Sequence, residues 1–264
     1  MIYKWLPKHL KAPYKIFFWR IFYNYIGTIG RLKPAMFLNH GFAEEGVTIR
    51  DFTLKTLRKL HQDLYLHLFK QAPPDGKHVL EIGCGRGGGL VLMNEQYKPA
   101  RSVGVDLSDA NIRRGKKLCK GLNVEFIRGN AEKQIFPDKT FDLVFNLESS
   151  HCYVSKRKFY ENVYSILKDD GCFIYADLFW LDYLIEEMEK EFEEVGFYIE
   201  KKEDISPSVF RSIEILSFTK KYFSQGSVSP NKLLNNFIAA PGSEIYENLK
   251  SGIVKYNLYV LKKK

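Results

Sequence analysis

Cysteine is scarce in this chain of 264 residues: Cys84, Cys119, Cys152 and Cys172 are the only four, with no Cys-x-x-Cys pair and no zinc-ligand spacing. That excludes a disulfide-stapled secreted scaffold and leaves reduced thiols in a cytosol as the expectation. Long apolar runs are also missing. The best, residues 16–26, is interrupted by Arg20 and Asn24 and falls short of the roughly 18 residues of a membrane span. Lys15 and Arg20 also break any leader-like apolar stretch, and no small-residue cleavage site follows, so no secretory signal is expected. The six histidines (His9, His40, His61, His67, His78, His151) are scattered, and His61 and His67 stand six apart, a spacing that faces them differently on a helix. No metal site is expected. Finally, residues 1–42 contain no acid at all.

What is present is unevenly placed. The net charge is +9, but residues 1–42 carry seven Lys/Arg and the tail 262–264 three more, which leaves 30 basic against 31 acidic residues elsewhere. The body is near neutral, so the basicity is not the broad footprint of a nucleic-acid binder. The same 42 residues hold eleven aromatics. Rings beside cations on a helix suit a segment lying at a membrane surface; the alternative is an arm that packs its rings on the body. With 45% apolar residues the chain can bury a substantial core.

A helix is expected over 52–71, with Leu57, Leu60, Leu64 and Leu68 at helical spacing, closed by Pro73-Pro74-Asp75-Gly76. Short apolar strands then alternate with amphipathic helices. Strands are expected over 78–82, 102–105, 124–128, 141–146, 172–177 and 197–202. Helices are expected over 87–96, 109–119, 156–167 and 180–195. The alternation argues for an α/β fold, a mostly parallel sheet covered by helices on both faces. Residues 206–250 read as mostly helical, ahead of a last strand over 252–261. Four segments result: an N-terminal basic, aromatic helical cap (1–75), a ligand-binding core (76–205), a helical insertion (206–250), and a final strand with a basic tail (251–264).

The first strand ends in Glu81-Ile82-Gly83-Cys84-Gly85-Arg86-Gly87-Gly88-Gly89. Glycines there turn the chain sharply and bring backbone N–H groups against a ligand. Gly83, Gly85 and Gly88 satisfy the dinucleotide pattern, with Asp106 18 residues on, so a nicotinamide or flavin site is one reading. Three features favour another. Glu81 sets a carboxylate where a pyrophosphate would be repelled and a cationic ligand welcomed. Asp106 can accept both ribose hydroxyls, with Leu107 covering an adenine. Asn130 and Ala131 can read the adenine edge.

With these residues the chain resembles the class I S-adenosylmethionine-dependent methyltransferases over roughly 76–202. The resemblance implies a Rossmann-like sheet of seven strands, the last antiparallel, with S-adenosylmethionine as cofactor and Glu81, Gly83, Cys84, Gly85, Asp106, Leu107, Asn130, Ala131 and Leu147 around it. Leu38–Phe42, Asn146–Tyr153, Tyr175–Leu178, Pro241-Gly242-Ser243 and Tyr256 look more narrowly like the phthiotriol dimycocerosate-type lipid and small-molecule O-methyltransferases. That likeness suggests Asn39, Gly41 and Phe42 as a lid over the cofactor.

The fourth strand delivers Asn146-Leu147-Glu148-Ser149 where methylation of a DNA base or a protein glutamine calls for Asn-Pro-Pro-aromatic or Asp-Pro-Pro-aromatic. Neither activity is expected, and metal-dependent catechol methylation is disfavoured with the metal. An aliphatic hydroxyl is a poor nucleophile and must lose its proton as the methyl arrives. His151 is the candidate general base and Asp177 the acid that orients it. The chain resembles the rebeccamycin-type sugar O-methyltransferases in this pair, with Cys152 where they carry a second His. Capping of the next helix by Asp177, with His151 merely lining a pocket, is the plainer alternative. Glu148, Tyr153 and Trp180 are expected on the acceptor side. The leading expectation is O-methylation of a hydroxyl on a lipid or apolar secondary metabolite. C- or N-methylation of a sterol, quinone or peptide product, with Glu148 carrying more of the chemistry, is the first alternative. A non-catalytic, membrane-docked cofactor-binding scaffold is the second.

Overall fold

The computed structural model describes residues 8–28, 36–51, 53, 57–180, 182–223 and 232–264. Two helices come first, α1 (Lys8–Thr28) and α2 (Arg58–Phe69). Strands and helices then alternate: β1 (His78–Ile82), α3 (Gly88–Gln96), β2 (Arg101–Asp106), α4 (Asp109–Leu118), β3 (Val124–Arg128) and β4 (Phe141–Leu147). They continue through α5 (Lys156–Ile166), β5 (Leu167–Trp180), α6 (Asp182–Val195) and β6 (Phe197–Asp204). Three helices, α7 (Ser206–Phe223), α8 (Lys232–Phe237) and α9 (Glu244–Ser251), precede β7 (Val254–Lys263).

The strands form one sheet in the order β3-β2-β1-β4-β5-β7-β6, with β7 antiparallel to both neighbours and the other pairings parallel. The central strands are apolar on both faces because both are covered. Val79, Leu143 and Phe145 pack with α2 and α3 on one side, and Leu80, Ile82 and Val144 pack with α5 and α6 on the other. Serine side chains start three helices: Ser108, Ser155 and Ser243 accept from the backbone N–H three residues on, which satisfies donors the helix itself cannot.

Several boundaries differ from the sequence expectation. β5 begins at Leu167, through a polar run that reads as a loop, and ends at Trp180, which reads as a helix start. The partner strands decide this: β4 pairs Phe141 with Leu167 ahead of an irregularity, and β7 pairs residue by residue from Cys172↔Lys262 to Trp180↔Val254. Gly252, expected in the last strand, instead closes α9 in a left-handed conformation (φ 77°). Of the helix expected over 52–71, Phe52 and residues 54–56 lie outside the described residues, and Leu60, Leu64 and Leu68 are fully buried.

The helix α1 packs on the body. Arg20 pairs with Asp109 (2.7 Å), and Asn24 Oδ1 accepts from Ser108 Oγ and the Ala110 N–H (2.7 and 3.0 Å) at the start of α4. Lys15 donates to the Tyr153 carbonyl, and Phe22 and Tyr23 meet Phe237 of α8 edge-on. The packing alternative for the arm therefore describes one of its faces.

Candidate active site

The carboxyl ends of β1, β2, β4 and β5 open into a cavity of about 330 Å³. It lies where the strand order reverses between β1 and β4, the usual ligand crevice of an open α/β sheet. Of the fourteen residues singled out in the sequence, twelve line it; Glu81 and Asp177 stand one layer behind.

On one wall the chain leaves β1 through Gly83 and Gly85, both at positive φ (76° and 52°). The Gly83 and Cys84 N–H groups donate to the Val105 carbonyl (2.8 and 3.0 Å), and the Gly85 N–H donates to Asp106 Oδ2 (2.9 Å). A Cβ on Gly83 would stand 2.1 Å from Ser149 Oγ, so only glycine lets this loop approach the turn after β4. Asp106 Oδ1 accepts the Ser108 N–H (2.8 Å); burial lifts its carboxyl to about 6 against those donors. Leu107, Asn130, Ala131 and Leu147 complete this wall.

Glu81 was expected beside the ligand, and the structure sets it behind the loop. Its Oε1 accepts from the Tyr65 hydroxyl (2.8 Å), while its Oε2 is buried with no hydrogen-bond partner among the described residues. Burial raises its carboxyl to about 8, with the Tyr65 bond opposing and the Asp106 charge adding. A buried carboxylate oxygen lacking a donor is what a cationic ligand group fits.

The other wall is built by the turn after β4. His151 Nδ1 lies 2.8 Å from Asp177 Oδ1; a third of the His151 side chain is open (33%) and Asp177 is fully enclosed (0%). Asp177 also accepts from Ser150 Oγ (2.6 Å), the His151 N–H (3.1 Å) and the Leu178 N–H (2.8 Å). Behind Ser150 stand the Tyr175 hydroxyl, bonded to it, and the Tyr160 hydroxyl, which donates to Tyr175. Burial opposes ionisation of Asp177, yet His151 and Ser150 hold its carboxyl down at about 2. Burial likewise opposes charge on His151, but Cys152 and Asp177 more than offset it and hold the imidazole well above its ordinary value. With Nδ1–H given to Asp177, the other ring nitrogen, Nε2, is the one left for proton exchange. Trp19 of α1 meets the imidazole edge-on, with ring centres 6.4 Å apart.

Glu148 lines the cavity in a left-handed conformation (φ 47°). Its Oε1 accepts from the His40 N–H and the Tyr256 hydroxyl (2.9 and 2.8 Å), and burial raises its carboxyl to about 8. It thus ties residues 38–40 to β7. Tyr153, expected on the acceptor side, turns its hydroxyl to Asn146 Nδ2 and Ser149 Oγ (2.9 and 2.8 Å) and braces the glycine loop. Trp180 stands at the rim, partly exposed (37%). Of the expected lid, Asn39 reaches the cavity but Gly41 and Phe42 do not. They anchor the segment instead: a Cβ on Gly41 would sit 2.4 Å from Ser212 Oγ, and Phe42 stacks on His67.

A family model described as a methyltransferase domain matches residues 73–232. A fatty-acid O-methyltransferase of Mycolicibacterium smegmatis is 32% identical over 237 residues, 87% of this chain and 84% of the relative. The chain belongs to the methyltransferase family. A phthiotriol/phenolphthiotriol dimycocerosates methyltransferase of Mycobacterium tuberculosis is 41% identical over 120 residues, 46% of this chain and 44% of its own. Among solved structures, the geranyl diphosphate C-methyltransferase of Streptomyces coelicolor superposes with a TM-score of 0.73 at 15% identity, covering 95% of this chain and 98% of the other. That likeness is one of fold.

The methyl donor of this methyltransferase is S-adenosylmethionine, which supplies, when bound, an electrophilic methyl group on a sulfonium. The buried Glu81 oxygen, which has no partner among the described residues, and the Gly83–Gly85 loop are the features that fit it; Asp106, Leu107, Asn130 and Ala131, which line the same cavity, would hold its ribose and adenine as the resemblance implies. Because burial pushes the Glu81 carboxyl up to about 8, binding the ligand's ammonium group at pH 7 should expel a proton. Calorimetry of S-adenosyl-L-homocysteine binding in buffers of different ionisation heat should show that release. Glu81→Gln should abolish it and weaken binding by about ten- to hundredfold.

Sequence reasoning missed Tyr65, Ser150, Tyr175 and the α1 side chains Trp19 and Tyr23. Ser150 had a visible signal, its place directly before His151. Tyr175 lies in a segment that carries the family resemblance but was given no role, and Tyr65 had no signal, since an aromatic in a helix or strand reads as core.

Proposed function

We propose that this methyltransferase O-methylates a hydroxyl on a lipid or other apolar metabolite, with His151 as general base and Asp177 orienting it. The observation that carries the reading is the His151–Asp177 pair, with His151 lining the same cavity as the glycine loop. Neutral imidazole takes the hydroxyl proton on Nε2 as the oxygen attacks the methyl carbon. The positive charge that forms is held by Asp177, which is ionised and fully hydrogen-bonded beforehand. Holding acceptor and methyl group in line would supply much of the rate. C-methylation would ask Glu148 to stabilise cationic character, but burial holds its carboxyl up at about 8, which opposes the charge that role needs, and its Oε1 already accepts two hydrogen bonds. An acceptor of this kind resides in a membrane, and the same reading gives the aromatic, basic N-terminal segment contact with a membrane surface.

A second reading is favoured by the raised His151 value. A fatty-acid carboxylate, the acceptor class in the name of the M. smegmatis relative, is already anionic and needs no base. It would be bound by the imidazolium instead. The two readings have opposite signs in pH. Transfer to a long-chain alcohol should rise as pH climbs through the raised His151 value, because the base must be neutral. Transfer to the matching fatty acid should fall over the same range as the imidazolium is lost. Measuring kcat/KM for the alcohol and the acid between pH 6 and 10 tests this. Alcohol transfer that is flat in pH would remove the base role.

A further inference from the structure

α1 has two faces. Trp19, Phe22 and Tyr23 line the cavity, whereas Phe17 (62%), Phe18 (36%), Ile21 (51%) and Tyr25 (57%) are exposed on its outer side. The exposed residues fall at spacings of three, four and seven, so they form one stripe along the helix. Four large apolar side chains side by side are more than the scattered exposed leucine of an ordinary surface. Three apolar residues that line the cavity are themselves exposed, Val154 (36%), Trp180 (37%) and Leu233 (38%). The cavity thus has exposed apolar residues in its lining, and α1 carries others on the face turned away from it.

The segment that carries the stripe has charge of one sign in sequence, although Arg20 is paired with Asp109 and Lys15 is bonded to the Tyr153 carbonyl. α1 contains Lys8, Lys11, Lys15 and Arg20 and no acid, and the first carboxylate in the chain is Glu44. Rings and aliphatic side chains on a segment whose sequence carries an excess of positive charge complement an anionic bilayer surface. A second copy of the chain would instead meet its own excess of positive charge across the contact.

We propose that the outer face of α1, through Phe17, Phe18, Ile21 and Tyr25, docks on an anionic bilayer and holds the Val154–Trp180 rim against the acyl region, so that the acceptor enters from the membrane rather than from water. This rests on the reading of the acceptor as a lipid. α1 is then both anchor and wall: its inner face touches His151 through Trp19, and its outer face sits in lipid.

The test is flotation of the full chain with phosphatidylcholine vesicles, with and without about a quarter phosphatidylglycerol, at low and high salt. Wild type should float with the anionic vesicles, less at high salt and little with phosphatidylcholine alone. The variant F17S/I21S, changed only at exposed positions, should partition about tenfold or more weakly while binding S-adenosyl-L-homocysteine as wild type does. Wild type that stays in the dense fraction, or a variant that floats equally, overturns the docking. So does a wild-type dimer, seen by sedimentation equilibrium, that the variant dissociates, because the face would then join two copies. Failure to bind S-adenosyl-L-homocysteine at all would strike the methyltransferase site itself and leaves a separate signature from loss of flotation.

Discussion

His151→Ala is expected to lower kcat for a hydroxyl acceptor by about 10²–10⁴-fold while leaving S-adenosyl-L-homocysteine affinity near that of wild type. The loss belongs to the chemical step: without Nε2 the hydroxyl must give its proton to water as the methyl arrives. Because the imidazole is held well above its ordinary value by Cys152 and Asp177, the neutral base gains population as pH rises, and the ratio of wild type to variant should widen with it. Single-turnover methyl transfer measured across that range reads both effects. A variant that keeps kcat but raises KM would mark His151 as a binding residue.

Asp177→Asn is expected to be the more damaging change, because it strikes both function and fold. The native carboxylate accepts four hydrogen bonds, from Ser150 Oγ, the His151 Nδ1–H and the His151 and Leu178 backbone N–H groups. An asparagine presents an NH₂ where one oxygen accepted, so at least one buried donor loses its partner; the cost is about 3 kcal/mol of folding stability. The imidazole also loses the acceptor that fixes its tautomer, and kcat should fall by about 10²–10³-fold or more. The pH signature follows from the two shifts. The Asp177 carboxyl is depressed to about 2, so its stabilisation is present above roughly pH 4 and lost as pH falls toward 2. The raised His151 contributes fully below roughly pH 6.5 and loses its contribution as pH climbs through its folded value. Thermal unfolding from pH 3 to 10 should show both losses in wild type; in Asp177→Asn the acid loss should be absent and the alkaline loss reduced.

Much of the fold was legible because the sheet writes itself locally. Apolar runs such as Val79–Ile82 and Leu143–Leu147 can only be strands covered on both faces, and the serines at 108, 155 and 243 mark helix starts. What local pattern could not show was set by partners distant in sequence. β5 extends to Trp180 because β7, more than seventy residues on, pairs there. Glu81 retreats behind the glycine loop because Tyr65 of α2 holds it. The His151–Asp177 contact spans 26 residues and was inferable from the positions of both at strand ends. The Ser150–Tyr175–Tyr160 chain that fixes Asp177 was not, since buried tyrosines read as packing until their hydroxyls are placed. α1 defied a single reading for another reason. Its aromatics surround the helix, so composition predicts both packing and exposure, and only the structure assigns Trp19 to one face and Phe17 to the other.

The measurement that bears most directly on the account is incubation with methyl-labelled S-adenosylmethionine and a lipid extract, comparing wild type with His151→Ala. The account predicts label in an extractable lipid as an ether, resistant to alkali, and its loss in the variant. Label that enters only alkali-labile esters, and persists in His151→Ala, would contradict it.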